Sequence, residues 1–143
     1  MIKNKETNYL KNNTYTFEEL LSKHSEELKF KKLTKKVLLH GHCHQKAFDV
    51  VKPIENILKN IKGAEVETIE TSCCGMAGSF GYDKDTYGIS MKMANEKLFP
   101  AIKKSKGEIT IIADGTSCRC QIKDGLNREA IHIAKFLDQN IIY

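Results

Sequence analysis

The fold is organised around Thr71-Ser-Cys-Cys-Gly-Met-Ala-Gly-Ser-Phe-Gly81, in which two adjacent cysteines are followed by three glycines. Neighbouring side chains point in different directions in a regular helix or strand, so two adjacent cysteines reach one centre only where the backbone is irregular. Glycine permits such a backbone, because Gly75 and the glycines after it adopt positive φ without steric cost. An apolar, strand-like run precedes these residues. The pattern therefore predicts a loop that wraps around a metal ion or a cluster.

Length and composition indicate one globular domain. The chain has 143 residues, of which 41% are hydrophobic and 29% are charged. It contains no apolar run near the roughly 18 residues that span a membrane. Residues 1–15 are rich in asparagine and lysine, and we expect them to form a flexible leader before a domain at residues 16–143. The first residues lack the apolar core of a secretion signal, so we expect a cytoplasmic protein, with peripheral attachment at the inner face of a membrane as the alternative.

Charge and cysteine count narrow the class of protein further. The net charge of +5 comes from lysine-rich segments whose basic residues are not interleaved with aromatic residues on one face, which disfavours nucleic-acid binding. The five cysteines are an odd number, and a cytoplasmic chain rarely uses a disulfide scaffold. The cysteines are therefore expected to be metal ligands or redox groups.

Alternating strand and helix patterns predict the fold class. Short strand-like apolar runs lie at residues 36–40, 65–69, 109–113 and 131–133, with Val66 expected to pack inward. Helical spacing of apolar residues separates these runs. The pattern predicts an α/β fold, with a mainly parallel sheet of about four short strands and flanking helices.

The chain also carries signals for where helices begin. Thr16 and Glu19 have the spacing of a capping box, which predicts a helix start there. A long helix is expected over residues 83–102. A further helix is expected after the third strand, with Thr116 or Ser117 as its cap.

Four cysteines follow the predicted strands. Cys43 follows the first strand, Cys73 and Cys74 follow the second, and Cys118 follows the third. Because loops at the carboxyl ends of parallel strands gather at one edge of a sheet, we expect these thiols to lie together, with His132 near the same edge. Thiolates are soft ligands that favour zinc, copper(I) or iron–sulfur clusters. These four cysteines are therefore the candidate ligands.

The fifth cysteine is ambiguous. At the start of a helix, the thiolate of Cys118 would be stabilised by backbone N–H groups. Cys120 lies two residues later, about 200° around that helix, so the two thiols cannot both face one site there. If the helix starts later, Cys120 becomes a fifth ligand, and otherwise it is a small buried residue.

The histidines near Cys43 leave a zinc site open as an alternative. Cysteine and histidine are the usual zinc donors, although a structural zinc site normally has paired C-x-x-C motifs, which this chain lacks. We expect His42 and His44 to donate hydrogen bonds to sulfur or to shape access to the site. His40 is expected to end its strand as a packed residue.

Three stretches resemble a known family, the cysteine-rich CCG domain of heterodisulfide reductase and of the iron–sulfur subunits of glycolate oxidase and anaerobic glycerol-3-phosphate dehydrogenase. The similarity also extends to the C-terminal end of proteins that fuse an FAD-linked oxidase to iron–sulfur domains. The matching stretches are His40-Gly-His-Cys-His-Gln-Lys-Ala47, Ser72-Cys-Cys-Gly-Met-Ala-Gly-Ser-Phe-Gly-Tyr82 and Gly115-Thr-Ser-Cys-Arg-Cys-Gln-Ile122.

The resemblance implies a cofactor and its ligands. The family pattern of one Cys, then Cys-Cys-Gly, then C-x-x-C implies an iron–sulfur cluster, and its matching residues here are Cys43, Cys73, Cys74 and Cys118. Gly115 stands where the first cysteine of C-x-x-C would be. Four thiolates suffice for a [4Fe–4S] cluster, which we expect, or for a [2Fe–2S] cluster, whereas a five-thiolate cluster would need Cys120. Gly75 and the backbone amides that follow it are the expected donors to sulfur.

The resemblance also implies a function. It suggests an electron-transfer domain of a flavin-linked oxidoreductase, of the 2-hydroxy acid or glycerol-3-phosphate dehydrogenase type, that passes electrons to a quinone or another carrier. FAD would lie on a partner chain or domain, beside a ferredoxin-like iron–sulfur segment, so this chain is expected to be a subunit or fragment that is inactive alone. The alternatives are disulfide reduction at a catalytic cluster, a zinc module, and a thiol switch with a disulfide between Cys73 and Cys74.

Overall fold

The computed structural model describes residues 4–143, in which helices alternate with three strands. The helices are α1 (Lys5–Asn13), α2 (Phe17–Lys23), α3 (Cys43–Ala47), α4 (Val51–Lys59), α5 (Tyr87–Glu96), α6 (Leu98–Lys104), α7 (Thr116–Leu126) and α8 (Ile133–Asn140). The strands are β1 (Lys36–His40), β2 (Glu65–Thr68) and β3 (Ile109–Ala113), and a short 3₁₀ turn covers Phe80–Tyr82.

The strands form one parallel sheet in the order β2-β1-β3, which confirms the predicted α/β class. The sheet has three strands among the described residues, not about four. In place of a fourth strand, Ile131 makes a single parallel bridge to Ile112. The apolar run at residues 131–133 cannot form a longer strand, because His132 caps α8 and Ile133 is the first residue of that helix.

Two apolar layers cover the two faces of the sheet, because successive side chains of a strand point to opposite sides. Val37 and Leu39 of β1 pack with α4 and α8 in one layer. Leu38 packs in the other layer, with residues of α5, α6 and α7. Val66 packs at the edge of the first layer, as predicted. His40 has the same parity as Leu38, so the strand directs it to the α5–α7 side.

One helix start was predicted correctly from the sequence, whereas one long predicted helix is divided in the structure. The capping box of α2 is confirmed, since Glu19 N–H donates to Thr16 Oγ1 at 3.3 Å and Thr16 N–H donates to the Glu19 carboxylate at 2.8 Å. The helix predicted over residues 83–102 is instead divided into α5 and α6 at Lys97. This division follows from Pro100, whose ring would clash with the Glu96 carbonyl in a continuous helix.

The segment expected as a leader contains α1, which has no buried residue. Its helix is capped by Asn4 and continues only to Asn13. The flexibility of residues 1–15 therefore stays a prediction, and residues 1–3 lie outside the described part of the chain. Across residues 4–143, none of the helices combines the length and apolar character that a bilayer crossing requires.

Candidate metal centre

The candidate centre lies at the carboxyl edge of the sheet, where three loops bring four cysteines together. Cys43 is the first residue of α3, just after β1. Cys73 and Cys74 lie in the loop after β2, and Cys118 lies in the first turn of α7, after β3. The rule for parallel sheets thus places the four predicted thiols on one edge.

The four thiols form two adjacent pairs. Cys43 lies beside Cys73, and both are partly exposed. The sulfurs of Cys74 and Cys118 lie within 4.8 Å of each other, and these residues are 2% and 1% exposed. Adjacent Cys73 and Cys74 therefore face different partners, one at the surface and one in the core.

Hydrogen bonding and burial shift the pKa values of Cys74 and Cys118 in opposite directions. The S–H of Cys118 donates to the Cys74 sulfur, which lowers the pKa of Cys74, and nearby His40 lowers it further against the effect of burial. The same hydrogen bond, together with burial, raises the pKa of Cys118. Burial also raises the pKa of Cys43, with a further rise from its contact with Cys73.

The loop that carries Cys73 and Cys74 needs a glycine at position 75. Gly75 has φ of 93°, and its N–H donates to Cys73 Sγ at 3.3 Å. A side chain there would place its Cβ 2.4 Å from the Ser90 carbonyl oxygen of α5. Buried Gln121 completes this contact, since its amide donates to the Cys74 carbonyl at 3.1 Å and to Ser90 Oγ at 2.9 Å. The loop is therefore locked against α5 and α7.

Lys46 lies beside the candidate thiols, a position that the sequence reasoning missed. Its ammonium donates to the Thr71 carbonyl, to Thr71 Oγ1 at 3.1 Å and to the Ser72 carbonyl at 3.4 Å. Partial burial lowers the pKa of Lys46, while all four candidate thiolates act to raise it. Its spacing was the available signal, because Lys46 lies three residues after Cys43 and so shares its helix face.

The start of α7 separates Cys118 from Cys120. The prediction of Thr116 or Ser117 as the cap is wrong, since Gly115 is the N-cap and no side chain caps this helix. Cys118 and Cys120 therefore lie on the same helix and point in different directions. Cys120 is partly exposed, and the Tyr82 hydroxyl near it donates to the Asp124 carboxylate at 2.7 Å.

The space beside Gly115 is filled by a histidine. A Cβ at position 115 would lie 2.3 Å from His42 Cδ2 and 3.0 Å from Cys118 Sγ. His42 is held in place because its Nδ1 accepts the His44 N–H at 3.3 Å, and the two rings stack at 5.1 Å. The imidazole of His42 thus occupies the position from which a side chain at 115 would approach the thiols.

Two further histidines lie at this edge in different roles. His132 is near Asp114, at 3.8 Å from its carboxylate, and its Nδ1 caps α8. His40 is 1% exposed, and one of its ring nitrogens lies within 4.8 Å of the Cys74 and Cys118 sulfurs. The sequence reasoning treated His40 as a packing residue, although the alternation from Leu38 would have placed it on the thiol side of β1.

Comparison with known proteins places the chain in a family. The family model for the cysteine-rich domain, CCG, matches residues 37–123. One subunit of the anaerobic glycerol-3-phosphate dehydrogenase of Escherichia coli K12 is 30% identical over 112 residues, 78% of this chain and 28% of that protein. A probable glycolate oxidase iron–sulfur subunit of Bacillus subtilis 168 is 37% identical over 90 residues, 57% of this chain and 19% of that protein.

A third relative is the D-2-hydroxyglutarate dehydrogenase of Pantoea ananatis AJ13355, which is 34% identical over 61 residues, 43% of this chain and 6% of that protein. The chain thus spans less than a third of the length of each of these relatives. No solved structure matches it.

Proposed function

This chain belongs to the cysteine-rich CCG domain family, and we propose that it is an iron–sulfur electron-transfer domain of a flavin-linked oxidoreductase. The observation that carries the proposal is the convergence of four thiols from three loops that are far apart in sequence. Mutual repulsion would oppose four thiolates in one place, and the positive charge of Lys46 offsets part of it. The donor set of soft sulfur atoms fits iron and sulfide.

The proposed ligands are Cys43, Cys73, Cys74 and Cys118. Four thiolates complete a [4Fe–4S] cluster, which is the form we propose. Cys120 is left out of the ligand set, because it lies two residues after Cys118 in the same helix, about 200° around its axis. Gly75 N–H contributes a hydrogen bond to the Cys73 sulfur, and such bonds tune the potential of a cluster.

The different exposure of the two thiol pairs favours electron transfer as the function, and not disulfide chemistry. When bound, a cluster of this kind supplies one-electron transfer. Cys74 and Cys118 hold it from the buried side, while partly exposed Cys43 and Cys73 leave its outer side near the surface. A disulfide between Cys73 and Cys74 is disfavoured, since each sulfur is adjacent to a different cysteine.

The relatives suggest the setting of this domain. They include a subunit of a glycerol-3-phosphate dehydrogenase, a glycolate oxidase iron–sulfur subunit and a 2-hydroxy acid dehydrogenase. We therefore propose that electrons come from an FAD-linked partner that oxidises a 2-hydroxy acid or glycerol 3-phosphate, and pass to a quinone or another carrier. A ferredoxin-like iron–sulfur segment is proposed as a further partner, with the assembly in the cytoplasm and peripheral attachment at the inner face of a membrane as the alternative.

The test is the content of iron, zinc and acid-labile sulfide in protein prepared without oxygen, with a visible spectrum of the same sample. We expect iron and sulfide in near-equal amounts and broad absorption that bleaches on reduction. Serine at any one of the four proposed ligands should reduce this content, whereas the matched control Cys120→Ser should retain it. Zinc without sulfide, or equal loss in the Cys120→Ser control, would refute the proposal.

A further inference from the structure

The ring of His40 is a buried polar group with one nitrogen satisfied and one not. Its Nδ1 lies 3.2 Å from Thr71 Oγ1. Its Nε2 is buried and has no hydrogen-bond partner among residues 4–143. Leaving a buried donor or acceptor unpaired costs about 1–3 kcal/mol, so this nitrogen calls for a partner.

The contacts of Thr71 favour one tautomer of this ring. Lys46 is only a donor, and its ammonium points at Thr71 Oγ1 from 3.1 Å. The hydroxyl accepts from Lys46, and it keeps a hydrogen of its own that it can donate to Nδ1 of His40. A neutral imidazole with Nδ1 as the acceptor carries its proton on Nε2.

The partner that lies within reach of Nε2 is sulfur. One ring nitrogen of His40 and the sulfurs of Cys74 and Cys118 all lie within 4.8 Å of one another, and Nδ1 is already engaged by Thr71. A protonated Nε2 has no lone pair for a metal, but it can donate to a thiolate or sulfide. The strand fixes this direction, since His40 is the last residue of β1.

We propose that His40 is a positioning residue of the centre, and that it donates its Nε2–H to sulfur beside Cys74 and Cys118. This inference rests on the proposed iron–sulfur function. A hydrogen bond to sulfur stabilises the reduced, more negative cluster over the oxidised one, so it raises the reduction potential. His40 thereby sets the potential from the buried side, opposite the exposed pair.

The first experiment reads the tautomer, and it needs no cluster. Long-range ¹H–¹⁵N correlation spectra of the reduced, cluster-free full chain distinguish an Nε2–H imidazole from an Nδ1–H imidazole. We expect the Nε2–H form for His40. The Nδ1–H form would overturn the proposal, because Nε2 would then be free to bind metal.

The second experiment compares potentials in the loaded protein. His40→Leu removes the donor, His40→Gln keeps an N–H near the Nε2 position, and His24→Leu changes an exposed histidine just after α2 as the matched control. We expect His40→Leu to shift the ratio of reduced to oxidised cluster about tenfold towards oxidised, equal to about 59 mV for a one-electron couple. His40→Gln should recover most of this shift, and His24→Leu should show none.

The possible outcomes distinguish a failure of the inference about His40 from a failure of the proposed iron–sulfur function. A wild-type protein that takes up no iron and sulfide refutes the proposed function, while the tautomer of His40 is still measured on its own. An unchanged potential in His40→Leu overturns the inference and leaves the function standing. Strong ¹⁴N coupling to iron in pulsed EPR of the wild type, absent from His40→Leu, also overturns it, because nitrogen would then be a direct ligand.

Discussion

The glycine that follows the paired cysteines offers a sharp test of the loop geometry. Gly75→Ala puts a side chain on a residue with φ of 93° and brings its Cβ to 2.4 Å from the Ser90 carbonyl oxygen. The left-handed backbone costs a non-glycine residue about 1–2 kcal/mol. Overpacking against the rigid backbone of α5 costs about 1–3 kcal/mol more, so we expect a total loss of about 2–5 kcal/mol in the free energy of unfolding.

Gly78 supplies the matched control in the same loop. It has φ of 69°, and no atom lies within 4 Å of a Cβ built there, so Gly78→Ala meets only the backbone cost of about 1–2 kcal/mol. The neighbouring Ala77 already adopts φ of 39°, which shows that this loop accommodates an alanine with positive φ.

Urea unfolding of reduced, cluster-free protein, followed by circular dichroism, measures both variants against the wild type. We expect Gly75→Ala to lose clearly more stability than Gly78→Ala, with unchanged m-values. Equal losses in the two variants would refute the reasoning, because the close approach to Ser90 is the feature that distinguishes them.

Three further predictions concern the same edge of the sheet. Gln121→Met should lower the free energy of unfolding by about 1–3 kcal/mol, because it removes the donor to the buried Cys74 carbonyl; a loss below about 0.5 kcal/mol, typical of surface changes, would contradict this. Gly115→Cys should lower the free energy of unfolding by about 1–3 kcal/mol, because its side chain overlaps His42. In thermal unfolding, the double variant Gly115→Cys/His42→Ala should recover most of this loss. A Gly115→Cys variant as stable as the wild type would exclude the overlap. In the cluster-free protein, the pair of Cys74 and Cys118 should contribute most to stability near the ordinary thiol pKa of 9.0. Because the pKa of Cys74 is lowered in the folded protein, the stability that Cys74 contributes is lost as the pH falls from 9.0 through the lowered pKa. Because the pKa of Cys118 is raised, the stability that Cys118 contributes is lost as the pH rises above 9.0. Urea unfolding of the wild type and Cys118→Ala at several pH values checks this, and a difference that does not vary with pH would be the contrary result.

Much of the fold was predictable because its signals are local. The three strands and the capping box of Thr16 and Glu19 follow from patterns within a few residues. Two local signals were misread. Pro100 divides the helix predicted over residues 83–102, and His132 ends the last apolar run by capping α8 before a fourth strand can form.

The site was predictable in part. Placing Cys43 and Cys118 after parallel strands was enough to bring their loops to one edge. The positions of His40 and Lys46 beside the thiols were missed because they depend on side-chain direction. Strand parity and helix spacing contain that information, but it becomes meaningful only once the neighbouring loops are in place.

The amino-acid sequence was sufficient to predict the parallel α/β fold, the edge at which the thiols meet, and the glycine loop that carries two of them. These properties depend on residue types and on spacings of a few residues. The folded structure was needed to see that Cys74 lies beside Cys118, that His42 fills the space beside Gly115, and that buried His40, whose Nε2 has no partner, lies next to these two sulfurs. These contacts join loops from separate strands, and their distances are set by how α5 and α7 pack against the sheet.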